Sequence, residues 1–239
     1  MAVSIPDLTH ATRDADAALG ALIDAVRPLP ADAGSAPSSL PGWTLGHVLA
    51  HVANVAAALA RQAEYAARGE KVAPYDGGKA GRDAAIEAGS VRTTAEHVEA
   101  LTAARGRLAA AWPDPADRDA WSAPVAYRDG VLADALLAWW REARIHAVDA
   151  TAGLGDRAIG YDSWDDAFRA HLRDFLAVRL PGPQDGGDAA AVELVGDPHD
   201  VAAWLAGREP RGAVSAARDG VAVPLPELGP WPSAAAPTR

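Results

Sequence analysis

Two pairs of side chains that can bind metal ions are spaced four positions apart, each within a segment of helical periodicity. His47 and His51 form one pair, and Glu142 and His146 form the other. Residues four apart project from nearly the same face of a helix, so each pair can direct two groups toward one point. Two histidines and one carboxylate are a common catalytic zinc set, which leaves a coordination position for water or substrate. The third ligand has to come from a second helix.

Each pair also has an ordinary explanation. A Glu/His pair at helical spacing is more often a solvated surface pair or a helix-stabilising contact than a metal site. The apolar neighbours of His51 and His146 favour burial, and a buried imidazole or carboxylate needs a partner. One metal ion would satisfy three such groups at once. From the residues alone, the metal site and the ordinary explanation are about equally supported.

Four long segments have the apolar periodicity of amphipathic helices and must position these residues. They cover about residues 7–26, 44–68, 94–112 and 131–150. Helices with one apolar stripe each most simply pack as a four-helix bundle, in which the second and fourth can face each other in the core. The connection 69–93 is too long for a tight turn. It is either a functional connection or a surface loop with one short helix.

The sequence changes character after residue 157. It predicts a helix at about 163–178, a strand at 191–195, a short helix at 198–205 and a hairpin that pairs 213–216 with 221–223. Asp219-Gly220 between two apolar runs favours the hairpin. We therefore expect a mainly α protein, with a helical bundle over residues 1–157 and a small α+β domain over residues 158–239.

Composition excludes several classes of function. The formal net charge of −10 argues against nucleic-acid or anionic-lipid partners. No apolar run is long enough to span a membrane, and no signal sequence is evident, so we expect a soluble cytoplasmic protein. Cysteine is absent, so any thiol chemistry needs a thiol from outside the chain. The preference for arginine over lysine is typical of a GC-rich genome. The sequence leaves the oligomeric state open.

Three motifs occur in order within the predicted bundle. They are LPGWTLGHVLAHVA at 40–53, YDGG at 75–78 followed by RDAAIEAG at 82–89, and WREARIHAVD at 140–149. Together they resemble the mycothiol-dependent maleylpyruvate isomerase family, within the DinB-like superfamily of metal-binding four-helix bundles. The string WLAGR at 204–208 resembles a motif of that family's C-terminal domain. The resemblance implies a DinB-like bundle and an actinobacterial source.

The resemblance also implies a ligand set. The second histidine of the first motif, and the glutamate and histidine of the third, correspond to the family's metal ligands, which are here His51, Glu142 and His146. Zinc is the expected metal and mycothiol the expected thiol. The chain departs from the family at Arg144, where a second acidic residue is frequent, and at Ala147, where a second histidine is frequent. These departures affect contacts around the site and not the ligands.

Other residues receive supporting roles. Arg208 is the candidate catalytic arginine, and Arg82 and Tyr75 are candidates for binding substrate or thiol. The two arginines are named because a guanidinium binds carboxylates bidentately. Asp149 either accepts a hydrogen bond from the His146 ring or is a solvated helix carboxylate. His47 is expected to pack against the site or to hydrogen-bond near it rather than to bind metal. The remaining histidines have polar neighbours and are expected to be ordinary surface residues: His10, His97, His171 and His199.

Three functions remain compatible with the sequence. In the first, zinc stabilises the thiolate of mycothiol, which adds to the cis double bond of a maleylpyruvate-like dicarboxylate and leaves after bond rotation. In the second, a mycothiol S-transferase joins the same thiolate to an electrophile for detoxification. In the third, the bundle is a non-catalytic metal-binding or regulatory module. Thiol is recovered in the first reaction and consumed in the second, while the third shows no thiol-dependent activity.

Overall fold

The computed structural model describes residues 7–181 and 192–232. Contacts between residues divide the described part of the chain into two units, one over residues 7–159 and one over residues 160–181 and 192–232. Among the described residues, no helix is both long and apolar enough to cross a membrane. The first unit is helical, and the second combines helices with a small sheet. The predicted mainly α fold is therefore confirmed.

The first unit contains four long helices and two shorter ones. Its helices are α1 (Leu8–Val26), α2 (Leu45–Ala66), α3 (Gly78–Ser90), α4 (Thr94–Ala111), α5 (Arg118–Trp121) and α6 (Leu132–Thr151). Helix α1 packs on α4 and α6, and α2 packs on α3, α4 and α6. The large side chains that fill the core include Leu19, Leu22, Leu49, Leu101, Leu136 and Trp140. The four long helices lie close to their predicted bounds.

Helix α2 begins at a capping box that uses a histidine. The Thr44 hydroxyl accepts from the His47 amide at 3.4 Å, and Nδ1 of His47 accepts from the Thr44 amide at 3.2 Å. An N-cap of this kind stabilises a helix by roughly 1 kcal/mol because it satisfies amides that have no partner within the helix. The cap fixes where α2 starts.

The connection between residues 69 and 93, expected to be either functional or a surface loop with one short helix, contains the 13-residue helix α3. The C-terminal end of α3 lies directly against α2. A Cβ atom on Gly46 would come within 2.1 Å of the Ser90 carbonyl oxygen, and one on Gly89 within 2.8 Å of the Ala50 Cβ atom. Side chains at these two positions would push α3 away from α2, so the glycines set the distance between the helices.

The second unit contains α7 (Asp166–Leu176), β1 (Glu193–Val195), α8 (Pro198–Leu205), β2 (Ser215–Arg218) and β3 (Val221–Val223). The strands form an antiparallel sheet in the order β1-β2-β3. The hairpin is present, but its first strand is two residues later than predicted. Arg218 pairs directly with Val221 because Asp219 and Gly220 both have positive φ and form a two-residue turn. Of the predicted strand 191–195, residue 191 lies outside the described residues.

The predicted helix at 163–178 is shorter than expected. Asp165 caps α7, its side chain accepting from the Phe168 amide at 2.8 Å, so the helix begins at Asp166. The chain then leaves the α-helical conformation after Leu176 and continues as a single 3-10 turn over Ala177–Arg179. The apolar face of α7 is buried through Phe168, Leu172 and Leu176.

Candidate metal centre

Three side chains from α2 and α6 converge in the first unit. Nε2 of His51 lies 2.9 Å from Oε2 of Glu142 and 3.1 Å from Nε2 of His146. The third side of the triangle, between Nε2 of His146 and Oε2 of Glu142, is 3.1 Å. We call these three residues the His-Glu-His triad. The sequence could place Glu142 and His146 on one face of a helix, but only the packing of α2 on α6 brings His51 to them.

The triad fits a divalent metal ion of the zinc type. Ligand bonds of about 2.0–2.1 Å in tetrahedral geometry separate neighbouring ligand atoms by roughly 3.3 Å, slightly more than the 2.9 to 3.1 Å between these three atoms. Side-chain exposure is 5% for His51, 13% for His146 and 31% for Glu142, so the centre is largely enclosed. Two imidazoles and a carboxylate are the donor types that zinc prefers, and three protein ligands leave one position open.

The protonation properties of the triad follow from burial and mutual contact. Burial lowers the pKa of His51 and outweighs the hydrogen bond to Glu142 that raises it. Burial alone would raise the pKa of Glu142, yet the hydrogen bonds to His146 and His51 hold it well below its usual value. Glu142 is therefore a carboxylate, and His51 favours the neutral form that a ligand requires.

His146 has a carboxylate on its other ring nitrogen. Nδ1 of His146 lies 2.8 Å from Oδ2 of Asp149, whose side chain is 1% exposed. Although burial lowers the pKa of His146, its hydrogen bonds to Asp149 and Glu142 raise it to about 9. Of the two expectations for Asp149, the geometry corresponds to the hydrogen-bonding partner, because a solvated carboxylate would be exposed. The Ser39 hydroxyl donates to the Asp149 backbone carbonyl at 3.2 Å.

The opposite side of His51 faces a cation and an aromatic ring. Nη2 of Arg82 lies 3.3 Å from Nδ1 of His51, and Nη1 of Arg82 donates to Asp83 at 2.9 Å. The Trp43 ring meets the His51 ring edge to face, with ring centres 5.4 Å apart. Arg82 therefore adds positive charge beside the triad.

Two tyrosines stand near Glu142, and sequence reasoning singled out only one of them. Burial raises the pKa of Tyr75 to about 12, although the nearby Arg82 lowers it. Burial likewise raises the pKa of Tyr127, with a further contribution from Glu142. Both phenols therefore stay protonated and can donate hydrogen bonds. Nothing in the sequence around Tyr127 indicated a site, because it lies in the connection between α4 and α6, outside the motifs.

The structure gives other contacts to the remaining residues named from the sequence. His47 caps α2, and its Nε2 atom lies 3.5 Å from Glu87. Arg144 binds Asp14 of α1 through two hydrogen bonds of 2.7 and 2.6 Å. Ala147 is buried. Arg208 belongs to the second unit, where Nη1 donates to the Ala206 carbonyl at 2.6 Å.

The expectation for His97 was wrong. His97, predicted to be an ordinary surface residue, is 1% exposed. Neither of its ring nitrogens has a hydrogen-bond partner. The polar neighbours in the sequence were misleading, because His97 takes the inward position of a helical turn while Glu96 and Glu99 face outward. Burial is the main reason that its pKa lies below the usual value.

Comparisons with known proteins identify the family. The sequence model of the mycothiol maleylpyruvate isomerase N-terminal domain matches residues 13–151, which include the whole triad. The chain belongs to this family. The resemblance drawn from the motifs is thereby confirmed, and the match covers more than half of the chain. No curated protein matched significantly.

Solved structures share the fold of this family member. The crystal structure of a mycothiol-dependent maleylpyruvate isomerase is 24% identical, with a TM-score of 0.74, over 94% of this chain and 97% of that chain. A histidine-to-alanine mutant of that enzyme gives the same identity and coverage with a TM-score of 0.73. At this level of identity the structural similarity concerns the fold.

Proposed function

We propose that the chain is a zinc-dependent enzyme that uses mycothiol to isomerise a maleylpyruvate-like cis dicarboxylate to its trans form. Membership in the family supports the thiol and the type of reaction. The observation that carries the proposal is the convergence of His51, Glu142 and His146 into a triangle with sides of 2.9 to 3.1 Å. A cytoplasmic location, where such a thiol would be available, belongs to the same proposal.

His51, Glu142 and His146 would hold the metal ion. A bound zinc ion would supply the charge that stabilises a thiolate over a thiol near neutral pH. The chain contains no cysteine, so a sulfur that uses the open position must come from outside the chain, and the family's thiol is mycothiol. Asp149 would keep the proton of His146 on Nδ1, which leaves the Nε2 lone pair free to bind the ion.

The reaction places negative charge on a substrate oxygen, and the protein has to stabilise that charge. The thiolate adds to one alkene carbon, and the displaced electron pair moves to the conjugated carbonyl oxygen to give an enolate. The former double bond can then rotate, and return of the electron pair expels the thiolate, so that no thiol is consumed. Arg82 and the Tyr75 hydroxyl, beside the triad, would bind the carboxylates and the enolate oxygen. Arg208 is the proposed second cation for the substrate.

The decisive experiment combines metal analysis with thiol accounting. Zinc-loaded protein is incubated with mycothiol and maleylpyruvate, and separately with mycothiol and chlorodinitrobenzene. The proposal predicts conversion to the trans isomer with the thiol concentration unchanged. One thiol consumed per product with the electrophile, and no isomerisation, would identify an S-transferase instead. Stoichiometric zinc without either reaction would leave a metal-binding or regulatory module.

A matched pair of variants ties activity to the triad. His51→Ala should lose both zinc and activity. His47→Ala, one turn earlier on the same helix, should retain zinc because His47 caps the helix and lies outside the triad. Loss of zinc in both variants would mean that damage to α2, rather than removal of a ligand, explains the result.

A further inference from the structure

A buried glutamine on α2 connects the loop that precedes α3 to the loop that precedes α6. Gln62 is 1% exposed and lies eleven residues after His51 on α2, which is about three helical turns. Its Nε2 atom donates to the Val72 carbonyl at 2.8 Å, and its Oε1 atom accepts from the Tyr127 amide at 3.0 Å. One side chain therefore holds two segments that are more than fifty residues apart in the sequence.

Each of these loops carries one of the two tyrosines near Glu142. Val72 lies three residues before Tyr75, and the second loop is bound at Tyr127 itself. The first loop has one more anchor to α2, since Nη1 of Arg61 lies 2.8 Å from Oδ1 of Asp76. Gln62 is thus placed to determine the position of both phenols relative to the triad.

The loop that carries Tyr127 has a constrained backbone. The Val125 amide donates to the Gly130 carbonyl at 3.0 Å and the Leu132 amide to the Ala123 carbonyl at 2.9 Å, which closes a tight turn before α6. Arg128 and Asp129 have φ values of 54° and 49°, a left-handed conformation that is unfavourable for residues other than glycine. Strained turns of this kind are found where a side chain is held for function.

We propose that the hydroxyls of Tyr75 and Tyr127 bind the oxygen atoms of the substrate beside the triad, and that Gln62 is the positioning residue for both. The inference rests on the proposed function, and it assigns a role to two residues outside every motif in the sequence. Neutral phenols suit this role, because they can hydrogen-bond a carboxylate or an enolate without adding charge next to Glu142. A purely structural Gln62 would stabilise the loops without changing substrate affinity.

The first test removes single oxygen atoms. Tyr127→Phe and Tyr75→Phe are compared with Tyr65→Phe, the remaining tyrosine of the first unit. Maleate serves as a binding probe for zinc-loaded protein in isothermal titration calorimetry, and maleylpyruvate with mycothiol serves for kinetics. We expect roughly 10- to 100-fold weaker maleate binding and a similar loss in kcat/KM for the first two variants. Tyr65→Phe should keep the maleate affinity and kcat/KM of the wild type. Zinc content and melting temperature should be unchanged in all three variants.

The second test asks whether Gln62 acts through the tyrosines. Gln62→Met removes both hydrogen bonds, and Gln62→Glu keeps the acceptor for the Tyr127 amide if the first variant folds poorly. Each should weaken maleate binding while leaving the zinc content stoichiometric, because no triad residue bonds to the loops. In the Tyr75→Phe/Tyr127→Phe background, the Gln62 substitution should have almost no further effect on maleate affinity. A full additive loss would show that Gln62 does not act through the phenols.

The outcomes separate this inference from the proposed function. Maleate binding that depends on Tyr127, without isomerisation, supports substrate binding by the two tyrosine hydroxyls and contradicts the proposed isomerase activity. Isomerisation with unchanged KM and kcat in Tyr127→Phe contradicts substrate binding by the Tyr127 hydroxyl and leaves the proposed isomerase activity supported. Failure of the zinc-loaded wild type to bind maleate at millimolar concentration also contradicts substrate binding by the two tyrosine hydroxyls.

Discussion

Oδ2 of Asp149 lies 2.8 Å from Nδ1 of His146, one turn further along the same helix face. The carboxylate can only accept, so the contact keeps a proton on Nδ1, and the nitrogen that faces the triad, and that must release its proton to bind a metal ion, is Nε2. The side chain of Asp149 is buried, and Ser39 holds its backbone carbonyl. The orientation of one metal ligand is therefore set by a residue that does not itself belong to the triad.

Asp149→Ala should weaken zinc binding about 10- to 100-fold, because the ring loses its orienting acceptor. Asp149→Asn should have a smaller effect, since its amide oxygen can still accept the hydrogen bond without the charge. Affinity is measured by competition with a chelating indicator. Asp156→Asn, an exposed acidic residue beyond the end of α6, is the control. Equal zinc affinities for the wild type and Asp149→Ala would contradict a role of Asp149 in orienting His146.

Arg82→Met should raise KM for maleylpyruvate roughly 10- to 100-fold and leave the zinc content unchanged. The guanidinium is 3.3 Å from the His51 ring, and a charge-assisted hydrogen bond to a substrate carboxylate contributes about 1.5–3 kcal/mol. Arg82→Lys should recover part of the loss, because it keeps the charge without the bidentate geometry. Arg68→Met on exposed surface is the control. An unchanged KM in Arg82→Met contradicts a role in binding substrate.

The departure from the family at Arg144 has a structural explanation. Its guanidinium binds Asp14 of α1, with the two side chains 12% and 13% exposed, and Asp14 also accepts from the Trp140 indole at 2.7 Å. Asp14→Ala should therefore cost about 3 kcal/mol of unfolding free energy, because it leaves a buried arginine without its carboxylate. Asp16→Ala breaks the half-exposed pair with Arg105 and should cost less than about 1 kcal/mol. Urea unfolding measures both, and equal costs would contradict the explanation.

His97 should make the protein less stable in acid. Its pKa in the folded protein lies below the usual 6.5, so the unfolded chain takes up a proton first as the pH falls below about 6.5. Stability then decreases by up to about 1.4 kcal/mol per pH unit until the folded-state pKa is reached. The charged groups that act on the ring are Arg92, which opposes protonation, and Glu96, which favours it.

His97→Leu and His97→Gln test this dependence by urea unfolding at pH 8, 6.5 and 5. Both variants should lose less stability than the wild type between pH 6.5 and pH 5, because neither has a side chain that titrates. At pH 8 the leucine variant should be the more stable of the two, since it buries no polar group without a partner. A wild-type pH dependence identical to that of both variants would contradict the assignment.

Local patterns in the sequence predicted the long helices well. Apolar periodicity and the caps at Asp7, Thr44 and Thr93 are encoded within a few residues, and the structure has helices that begin beside each of them. Helix α3 was harder to predict, because only Ile86, Gly89 and Ser90 along it are buried, which is too few to give a clear apolar stripe.

The candidate site was predictable only in part, because its geometry depends on helix packing. The spacing of Glu142 and His146 indicated one shared face, whereas the partner on α2 was named by resemblance. Spacing alone did not separate His47 from His51, although the first turns back to cap the helix and the second reaches the triad. Tyr127 and Gln62 carry no local signal, because what joins them is a hydrogen bond between segments distant in sequence.

Cobalt substitution tests the central claim most directly. The chain has no cysteine, so any thiolate-to-cobalt charge-transfer band in the near ultraviolet must arise from an added thiol. The account predicts that protein loaded with one equivalent of Co²⁺ develops this band when mycothiol is added, and that His51→Ala does not while His47→Ala does. A wild-type protein that binds no divalent metal, or that binds cobalt and shows no band with saturating mycothiol, would contradict it.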